Sequence, residues 1–330
     1  MAGWLVVLLK IVAMFLVIMA GWLARRRNFL TGETTVTLSK FIVSLTMPAM
    51  VFISMLTTVT PATIRQDWYL PLVGAGIILL GLGVGWAVQP FFQLGNQRAT
   101  FLFLIAIANW VYLPLPIVDS LYAAEGVRVV LLINVGAQLI LWTVGVWTLR
   151  GGKPDKESLR EVFTNAGIIA AVMGIMLALL FPVIHTLGDV QPAGAFALFA
   201  TPLYQALKLV GDLTIPLSLI VTGAQLGGLD FSAHRPTPAL FGVLGARLLL
   251  APLAMAALFI GLNTLGWRLP DTARMVTYIT IAMPVAISCS IFTERFGGDT
   301  SLAARAIFYS TLLSIVTVPA FFYLVQRAGL

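Results

Sequence analysis

The sequence Lys40-Phe41-Ile42-Val43-Ser44-Leu45-Thr46-Met47-Pro48 returns in the second half of the chain as Lys208-Leu209-Val210-Gly211-Asp212-Leu213-Thr214-Ile215-Pro216. Lysine, leucine, threonine and proline keep their places at one constant offset. The same offset carries Pro116 onto Pro284. Two matches in one register predict that the chain is built from two related halves.

The composition assigns both halves to a membrane. Of the 330 residues, 59% are hydrophobic and only 10% are charged, and the mean hydropathy is +0.98. A soluble globule needs far more polar surface than this composition supplies. The chain is therefore expected to have the lipid bilayer as its solvent, and one membrane domain accounts for its whole length.

Hydropathy and turn residues divide the chain into ten apolar segments. A hydrocarbon core of roughly 30 Å needs about 20 apolar residues per helix. The predicted spans are Trp4–Ala24, Val36–Leu56, Leu70–Pro90, Thr100–Tyr122, Val127–Leu149, Ala166–Ile184, Leu209–Gly227, Leu240–Leu262, Thr272–Phe292 and Leu302–Val325.

The polar connector Arg150–Asn165 separates the fifth span from the sixth. We therefore expect a first five-helix repeat at 1–149, a linker at 150–165 and a second five-helix repeat at 166–330. Five crossings are an odd number, so the two repeats run in opposite directions. The predicted fold is an all-α integral membrane protein with ten transmembrane helices in two inverted repeats, an architecture typical of secondary transporters.

Positive charges predict the orientation. Arg25, Arg26 and Arg27 follow the first apolar run instead of preceding it, which favours a membrane anchor with an outside N-terminus over a signal peptide. Most other loop cations fall on the same side as this cluster. We expect both termini outside, the linker in the cytoplasm, and a multi-pass protein of the plasma (inner) membrane.

The net charge of +7 does not point to nucleic acid, because the 20 Lys and Arg residues lie singly or in short groups near span ends. The one cysteine, Cys289, allows no disulfide within the chain. His185 and His234 fall in opposite loops, so no metal site and no cofactor are expected. No nucleophile with a base and no HExxH motif is present, so we predict no catalytic residues and no enzyme.

Two spans carry residues suited to a substrate site. The fourth contains Asn109-Trp110-Val111-Tyr112-Leu113-Pro114-Leu115-Pro116, and the ninth contains Met283-Pro284 followed by Ser288, Cys289 and Ser290. Proline frees a carbonyl one turn earlier, so each span is predicted to break. Breaks in antiparallel repeats would meet near the bilayer midplane, where half-helix N-termini attract anions. For one span alone, a simple proline kink explains the sequence equally well.

Other polar residues extend the candidate site. Asn134 and Gln138 lie one helical turn apart in the fifth span, and either bind substrate or join helices by hydrogen bonds. Lys208 and Asp212 are expected to form an ion pair, and Asp212 is the first residue to suspect if a proton couples transport.

Arginines and glycines are assigned structural roles. Arg247 and Arg305 are expected to reach toward the headgroups. The Gly81–Gly85 and Gly223–Gly227 spacings predict close helix packing, and the second could serve a homodimer.

The chain resembles the auxin efflux carriers, a family of bacterial organic-acid permeases and plant PIN-type auxin transporters. The resemblance rests on Gly21, on Leu45 to Pro48, on Asn109 with Tyr112, Leu113, Leu115 and Pro116, on Gln138 with Trp142, on Gly223 to Leu226, and on Met283 and Pro284 through Glu294, Phe296, Gly297, Gly298 and Asp299. It implies crossing broken fourth and ninth helices, organic-anion cargo, and elevator-like motion against a scaffold of the first, second, sixth and seventh helices. It also implies that Gln138 lines the substrate site.

The predicted function is therefore secondary active transport of small organic anions, carboxylates or auxin-like indole acids. The predicted substrate-binding residues are Asn109, Pro116, Asn134, Gln138, Pro284, Ser288 and Ser290. A sodium-coupled bile-acid-type symporter is one alternative, and acidic and amide clusters for sodium would be its mark. A non-transporting receptor or scaffold is another, although it gives no reason for paired broken helices.

Overall fold

The computed structural model describes residues 3–151, 163–181, 194–228 and 237–330, together with residue 160. In these residues the regular structure is helical, apart from one isolated antiparallel bridge between Ala108 and Val285. The α-helices are α1 (Gly3–Arg26), α2 (Gly32–Phe41), α3 (Met47–Thr58), α4 (Pro61–Asp67), α5 (Leu70–Val88), α6 (Arg98–Ala106), α7 (Pro114–Ile140), α8 (Val146–Leu149), α9 (Ala166–Leu180), α10 (Gly194–Asp212), α11 (Thr214–Gly227), α12 (Pro238–Gly245), α13 (Ala251–Thr264), α14 (Asp271–Ile281), α15 (Cys289–Phe296) and α16 (Thr300–Arg327).

Seven helical stretches of the described chain are long and apolar enough to cross a membrane. They are Leu8–Arg26, Gly32–Thr58, Pro61–Phe91, Pro114–Leu149, Ala200–Gly227, Pro238–Thr264 and Thr300–Arg327, and Ala166–Leu180 is a shorter apolar helix. Large apolar side chains stand on their outer faces: Leu16 is 61% exposed, Leu209 70% and Val316 69%. Such a surface is stable in lipid rather than water. The protein is an all-helical integral membrane protein.

The predicted spans match these helices except at four places. The fourth and ninth spans are each interrupted, at 107–113 and 282–288, so neither forms one long helix. The seventh begins earlier than predicted, at Gly194, and contains Pro202. The helix of the sixth predicted span, α9, ends at Leu180, and residues 182–184 of that span lie outside the described residues.

The predicted boundary between the fourth and fifth spans coincides with a kink in α7. Ala123 has φ 46° and ψ −144°, so α7 consists of two helical pieces, 114–122 and 124–140. A Cβ on Gly126 would lie 2.5 Å from Cγ1 of Val118, so the start of the second piece packs closely against the first.

Glycines allow two pairs of helices to pack backbone to backbone. Between α1 and α11, a Cβ on Gly21 would lie 2.0 Å from the carbonyl oxygen of Ile220, and one on Gly223 would lie 1.8 Å from that of Ile18. The Gly223–Gly227 face is thus occupied by α1 of the same chain. A homodimer stays a prediction, but it would need another surface.

The second such pair is α5 with α7. A Cβ on Gly136 would lie 1.7 Å from the carbonyl oxygen of Pro71, and one on Gly74 would lie 1.9 Å from that of Ile133. Both contacts are too short for any side chain, so these helices touch through their backbones.

Three of the long helices contain a single π-helical turn. The turns are Ile42–Thr46, Leu141–Gly145 and Ala246–Leu250. A π-turn rotates the residues that follow it and is frequent at functional sites. Here the first two turns line the main polar cavity, and the third carries a buried arginine.

Candidate functional site

The breaks in the fourth and ninth spans contact each other directly. The backbone N–H of Asn109 donates to the carbonyl of Pro284 at 2.8 Å, and the N–H of Ala286 donates to the carbonyl of Ile107 at 3.0 Å. The two extended segments thus form a short antiparallel pair between α6 and α7 on one side and α14 and α15 on the other. Non-helical backbone at membrane depth is stable only when its polar groups are satisfied in this way.

A cavity of about 1090 Å³, counted with the part that opens to the surface, lies against this paired segment. Polar side chains on its wall come from Ser39, Asn109, Tyr112, Gln138, Asn165, Ser218, Thr222, Gln225 and Ser288. Its apolar wall includes Met47, Val111, Leu141, Trp142, Val221, Ile291 and Phe292. None of the described residues that line the cavity is Asp, Glu, Lys or Arg. These described residues offer a ligand neutral dipoles and apolar contact.

Asn109 contributes to the polar wall from the break in the fourth span. It is 4% exposed, and its Oδ1 accepts a hydrogen bond of 3.2 Å from the backbone N–H of Tyr112. This bond satisfies one donor at the turn that enters α7. The Nδ2 group carries the two donors of the amide and can donate to a ligand in the cavity.

Asn134 and Gln138 lie at different distances from the cavity. The Oδ1 of Asn134 accepts from Nε1 of Trp110 at 3.0 Å and from Nε2 of Gln138 at 3.5 Å. Gln138 lines the cavity, whereas Asn134 is buried behind it. Asn134 therefore holds Trp110 and Gln138 in place.

Of the predicted site residues in the ninth span, Ser288 lines the cavity, whereas Pro284 and Ser290 make backbone contacts. Ser288 lies on the cavity wall at the start of α15. The hydroxyl of Ser290 donates to the carbonyl of Ile287 at 2.8 Å, within its own turn. Pro284 supplies the carbonyl that accepts from Asn109.

The predicted equivalence of Pro116 and Pro284 is wrong in register. The bridge pairs Ala108 with Val285, so Pro284 lies inside its break whereas Pro116 lies in the first turn of α7. The physical reason is that a proline fits the first turn of a helix, where its missing N–H has no partner to lose. Pro114 and Pro116 start a helix here, and the break precedes both.

Asp212 lies away from the cavity. Its carboxylate accepts from Nζ of Lys208 at 2.7 Å, which confirms the predicted ion pair, and its side chain is 59% exposed. Among the described carboxylates, Asp67 is the buried one, and it accepts from Nε of Arg128 at 2.9 Å. A coupling role for Asp212 stays a prediction.

Several residues on the cavity wall were not predicted. Nε2 of Gln225 donates to the hydroxyl of Ser39 at 3.1 Å, joining α11 to α2, and Ser218 and Thr222 lie on the same face of α11. The signal was present, because residues 218, 222 and 225 follow the i, i+4, i+7 spacing of one helical face. It was missed because each hydroxyl alone is ordinary in a membrane helix.

The prediction for Arg247 is wrong. It does not reach toward the headgroups but is fully buried, with its guanidinium donating to the carbonyls of Ile105 and Ile281. Arg305 is also buried, at 8% exposure, and its Nε donates to the carbonyl of Ser301. A π-turn at 246–250 turns Arg247 inward, which hydropathy could not reveal.

No group of three His, Cys, Asp or Glu side chains in the described part of the chain could hold a metal ion. His185 and His234 lie outside the described residues. Cys289 is a buried thiol whose sulfur lies 3.9 Å from the carbonyl oxygen of Ile107, beside the crossing.

A neutral cavity beside two paired helix breaks, in an all-helical membrane protein, is the arrangement of a membrane transporter. The chain belongs to the membrane transport protein family, whose model matches residues 6–322. This result confirms the resemblance to the auxin efflux carriers.

Two relatives support the same class. An uncharacterized transporter of Methanothermobacter thermautotrophicus is 23% identical over 319 residues, which cover 94% of this chain and 95% of that protein. An uncharacterized transporter of Methanocaldococcus jannaschii is 20% identical over 321 residues, covering 93% and 95%. The similarity therefore extends over nearly the whole length of all three proteins.

Proposed function

We propose that this transporter carries small organic anions, carboxylates or indole acids, by secondary active transport. The observation that carries the proposal is the neutral cavity bounded by the two paired breaks and by α2, α3 and α11. A free cation would find no carboxylate among the described lining residues, whereas an anion finds amide and hydroxyl donors.

Two helices begin at the cavity and would attract the anion. The residues just before α7, from Trp110 to Tyr112, line it, and so does Ser288, just before α15. The N-terminal end of a helix carries about half a positive charge, and its interaction with an anion contributes about 0.3 to 2 kcal/mol. Two such ends, with the amides of Asn109 and Gln138, favour a carboxylate with modest affinity.

The mechanism that we propose is elevator-like alternating access. The cavity lies between two groups of helices: α1 to α3 with α9 to α11, and α5 to α8 with α12 to α16. The close backbone contact of α1 with α11, at Gly21 and Gly223, lies within the first group. That of α5 with α7, at Gly74 and Gly136, lies within the second. Each group is thus suited to move as a unit, and the substrate would travel with the group that carries both breaks.

The architecture proposed with this function is ten crossings in two inverted repeats, 1–149 and 166–330, with a cytoplasmic linker at 150–165. Both termini would face the outside of the plasma membrane. The antiparallel pairing of the two breaks supports the inverted arrangement, because related segments of inverted repeats approach each other with opposite chain direction.

The test is uptake and counterflow of labelled monocarboxylates, dicarboxylates and indole acids in proteoliposomes, with and without imposed proton or sodium gradients. We expect saturable uptake of at least one free acid and weaker competition by its methyl ester, because the ester has lost the charge that the helix ends attract. An ester that competes as well as its acid would exclude anion recognition. Uptake strictly dependent on sodium would favour the bile-acid-type alternative.

A further inference from the structure

Arg247 joins the two broken spans at a point distinct from the cavity. It lies in the π-turn Ala246–Leu250 and is 0% exposed. Its Nη1 donates to the carbonyl oxygen of Ile105 at 2.8 Å, and its Nη2 donates to that of Ile281. One guanidinium thus contacts both segments that lead into the crossing.

Both acceptors are helix ends. Ile105 is in the last turn of α6, which ends at Ala106, and Ile281 is the last residue of α14. The C-terminal end of a helix carries about half a negative charge, so two such ends together balance about one positive charge. No Asp or Glu of the described chain forms an ion pair with Arg247, so these two helix ends are its counter-charge in the structure.

Carbonyls at the ends of interrupted membrane helices are also the groups that bind mobile coupling cations in transporters. A buried arginine in a membrane is energetically costly unless it is paired, so its presence here requires a compensating role. A mobile cation at this place would compete with the guanidinium for the same two carbonyls.

We propose that Arg247 is the built-in cation of the crossing, which replaces a mobile metal cation between the C-terminal ends of α6 and α14. The proposal rests on the fold and not on the cargo. If the protein carries anions as proposed above, the arginine also leaves the opposite helix ends, at α7 and α15, free to attract the substrate. It is a positioning residue, and transport would need no sodium ion at this place.

The first test compares two replacements of similar length in the purified protein. Arg247→Lys keeps the charge, and Arg247→Met removes the charge and every donor. We expect Arg247→Lys to yield folded, monodisperse protein and Arg247→Met to melt about 5 to 10 °C lower or to fail to fold, because two buried carbonyls lose their partner. Equal behaviour of the two variants, whether both fold or both fail, would overturn the proposal.

The second test asks whether a free cation can refill the vacated place. In Arg247→Ala, millimolar guanidinium chloride present throughout purification should raise the melting temperature, whereas the same concentration of tetramethylammonium chloride should not. Arg305→Ala is the control, because Arg305 is also a buried arginine, and its Nε donates to the carbonyl of Ser301 in its own helix. The absence of a guanidinium effect in Arg247→Ala, or an equal effect in Arg305→Ala, would contradict the proposal.

Discussion

The backbone N–H of Asn109 donates to the carbonyl of Pro284 at 2.8 Å, so each broken span satisfies the exposed backbone of the other. The bond from Ala286 to Ile107 completes the pair. Since unsatisfied backbone groups cost several kcal/mol in a bilayer, the two breaks are unstable apart. Any motion that moves one break must therefore carry the other with it, and a substrate bound between them would move as well.

The anion hypothesis is tested by adding a charge to the cavity wall. Gln225→Glu keeps the size of a side chain that bonds Ser39 and places a carboxylate there. We expect the affinity for a transported carboxylate to fall at least about tenfold at neutral pH, because like charges at close range in a partly desolvated site repel by more than ~1.4 kcal/mol. The affinity is measured in proteoliposomes by competition of the unlabelled acid with uptake of the labelled acid.

Gln326→Glu makes the same change at an exposed site in the last helix and should leave the affinity unchanged. If Gln225→Glu instead bound the acid as tightly as before and acquired a sodium requirement, the cavity would be a cation site.

The contact between α1 and α11 predicts a sharp difference between two glycines. Gly223→Ala would place Cβ 1.8 Å from the carbonyl oxygen of Ile18, so the helices must separate, at a cost of about 2 kcal/mol or more. Gly83→Ala, within α5, would meet no atom within 4 Å and should be neutral or stabilising by up to about 1 kcal/mol. The melting temperatures of the two variants in detergent test this difference. Equal melting of the two variants would mean that α1 and α11 are not in backbone contact.

Hydropathy predicted the helices well because lipid imposes the same length and composition on each crossing. The prolines predicted an interruption in the fourth and in the ninth span, but one of the two was misplaced. Pro116 was taken as the break, yet proline is as compatible with the first turn of a helix as with its interruption. Whether Pro116 begins a helix or interrupts one depends on the pairing of Ala108 with Val285. That pairing cannot be read from a single sequence.

The candidate site was predicted only in part for a related reason. Asn109 and Ser288 were predicted because they lie within about five residues of a proline, and Gln138 because it shares a helical face with Asn134 and by resemblance to the family. All three line the cavity. Arg247 was misjudged, because a π-turn shifts the helical face and no local residue pattern announces such a turn. The cavity wall contributed by α11 depends on the approach of distant helices through Gly21 and Gly223, which is a property of tertiary packing.

The ion pairs Asp67–Arg128 and Asp212–Lys208 are expected to differ in their contribution to stability. Asp67→Asn leaves Arg128 without its carboxylate where the side chains are only 6% and 10% exposed, so about 3 to 5 kcal/mol of stability should be lost. Asp212→Asn breaks a pair whose side chains are half exposed, and the loss should be about 0 to 1 kcal/mol. Thermal unfolding of both variants tests this order.

The same Asp212→Asn variant tests proton coupling. If Asp212 carries the coupling proton, uptake should lose its response to an imposed pH gradient while the melting temperature stays near that of the unchanged protein. A retained response would remove Asp212 from the candidate site.

The orientation is tested with single cysteines in a Cys289→Ala background. A cysteine at Asp155, in the linker, should resist an impermeant maleimide added to intact cells and react only after the membrane is opened. A cysteine at Trp267, which is exposed after α13, should react from outside without permeabilisation. Reaction of the Asp155 cysteine from outside would reverse the proposed orientation.

Asn109 should be the most sensitive residue of the cavity. Its Oδ1 already accepts from the N–H of Tyr112, and its backbone holds Pro284, so Asn109→Ala removes the side-chain amide and leaves the backbone pairing intact. Removing one hydrogen-bonding group from a desolvated site costs about 1 to 3 kcal/mol, or roughly 5- to 150-fold in affinity. We expect a loss of that size in the affinity for the identified acid, together with a modest fall in melting temperature, because the backbone N–H of Tyr112 loses its acceptor. Ser288→Ala should lose less, because water can replace a hydroxyl on the open wall.

Asn263→Ala is the control for Asn109→Ala, because it deletes the same amide from an exposed position near the end of α13. It should leave both affinity and maximal rate unchanged. The comparison separates binding from folding, since a lost amide that merely supported the turn before α7 would lower the melting temperature in proportion to the loss of uptake. Unchanged affinity and rate in Asn109→Ala would mean that the paired breaks are a structural crossing only, and that the substrate binds elsewhere along the cavity.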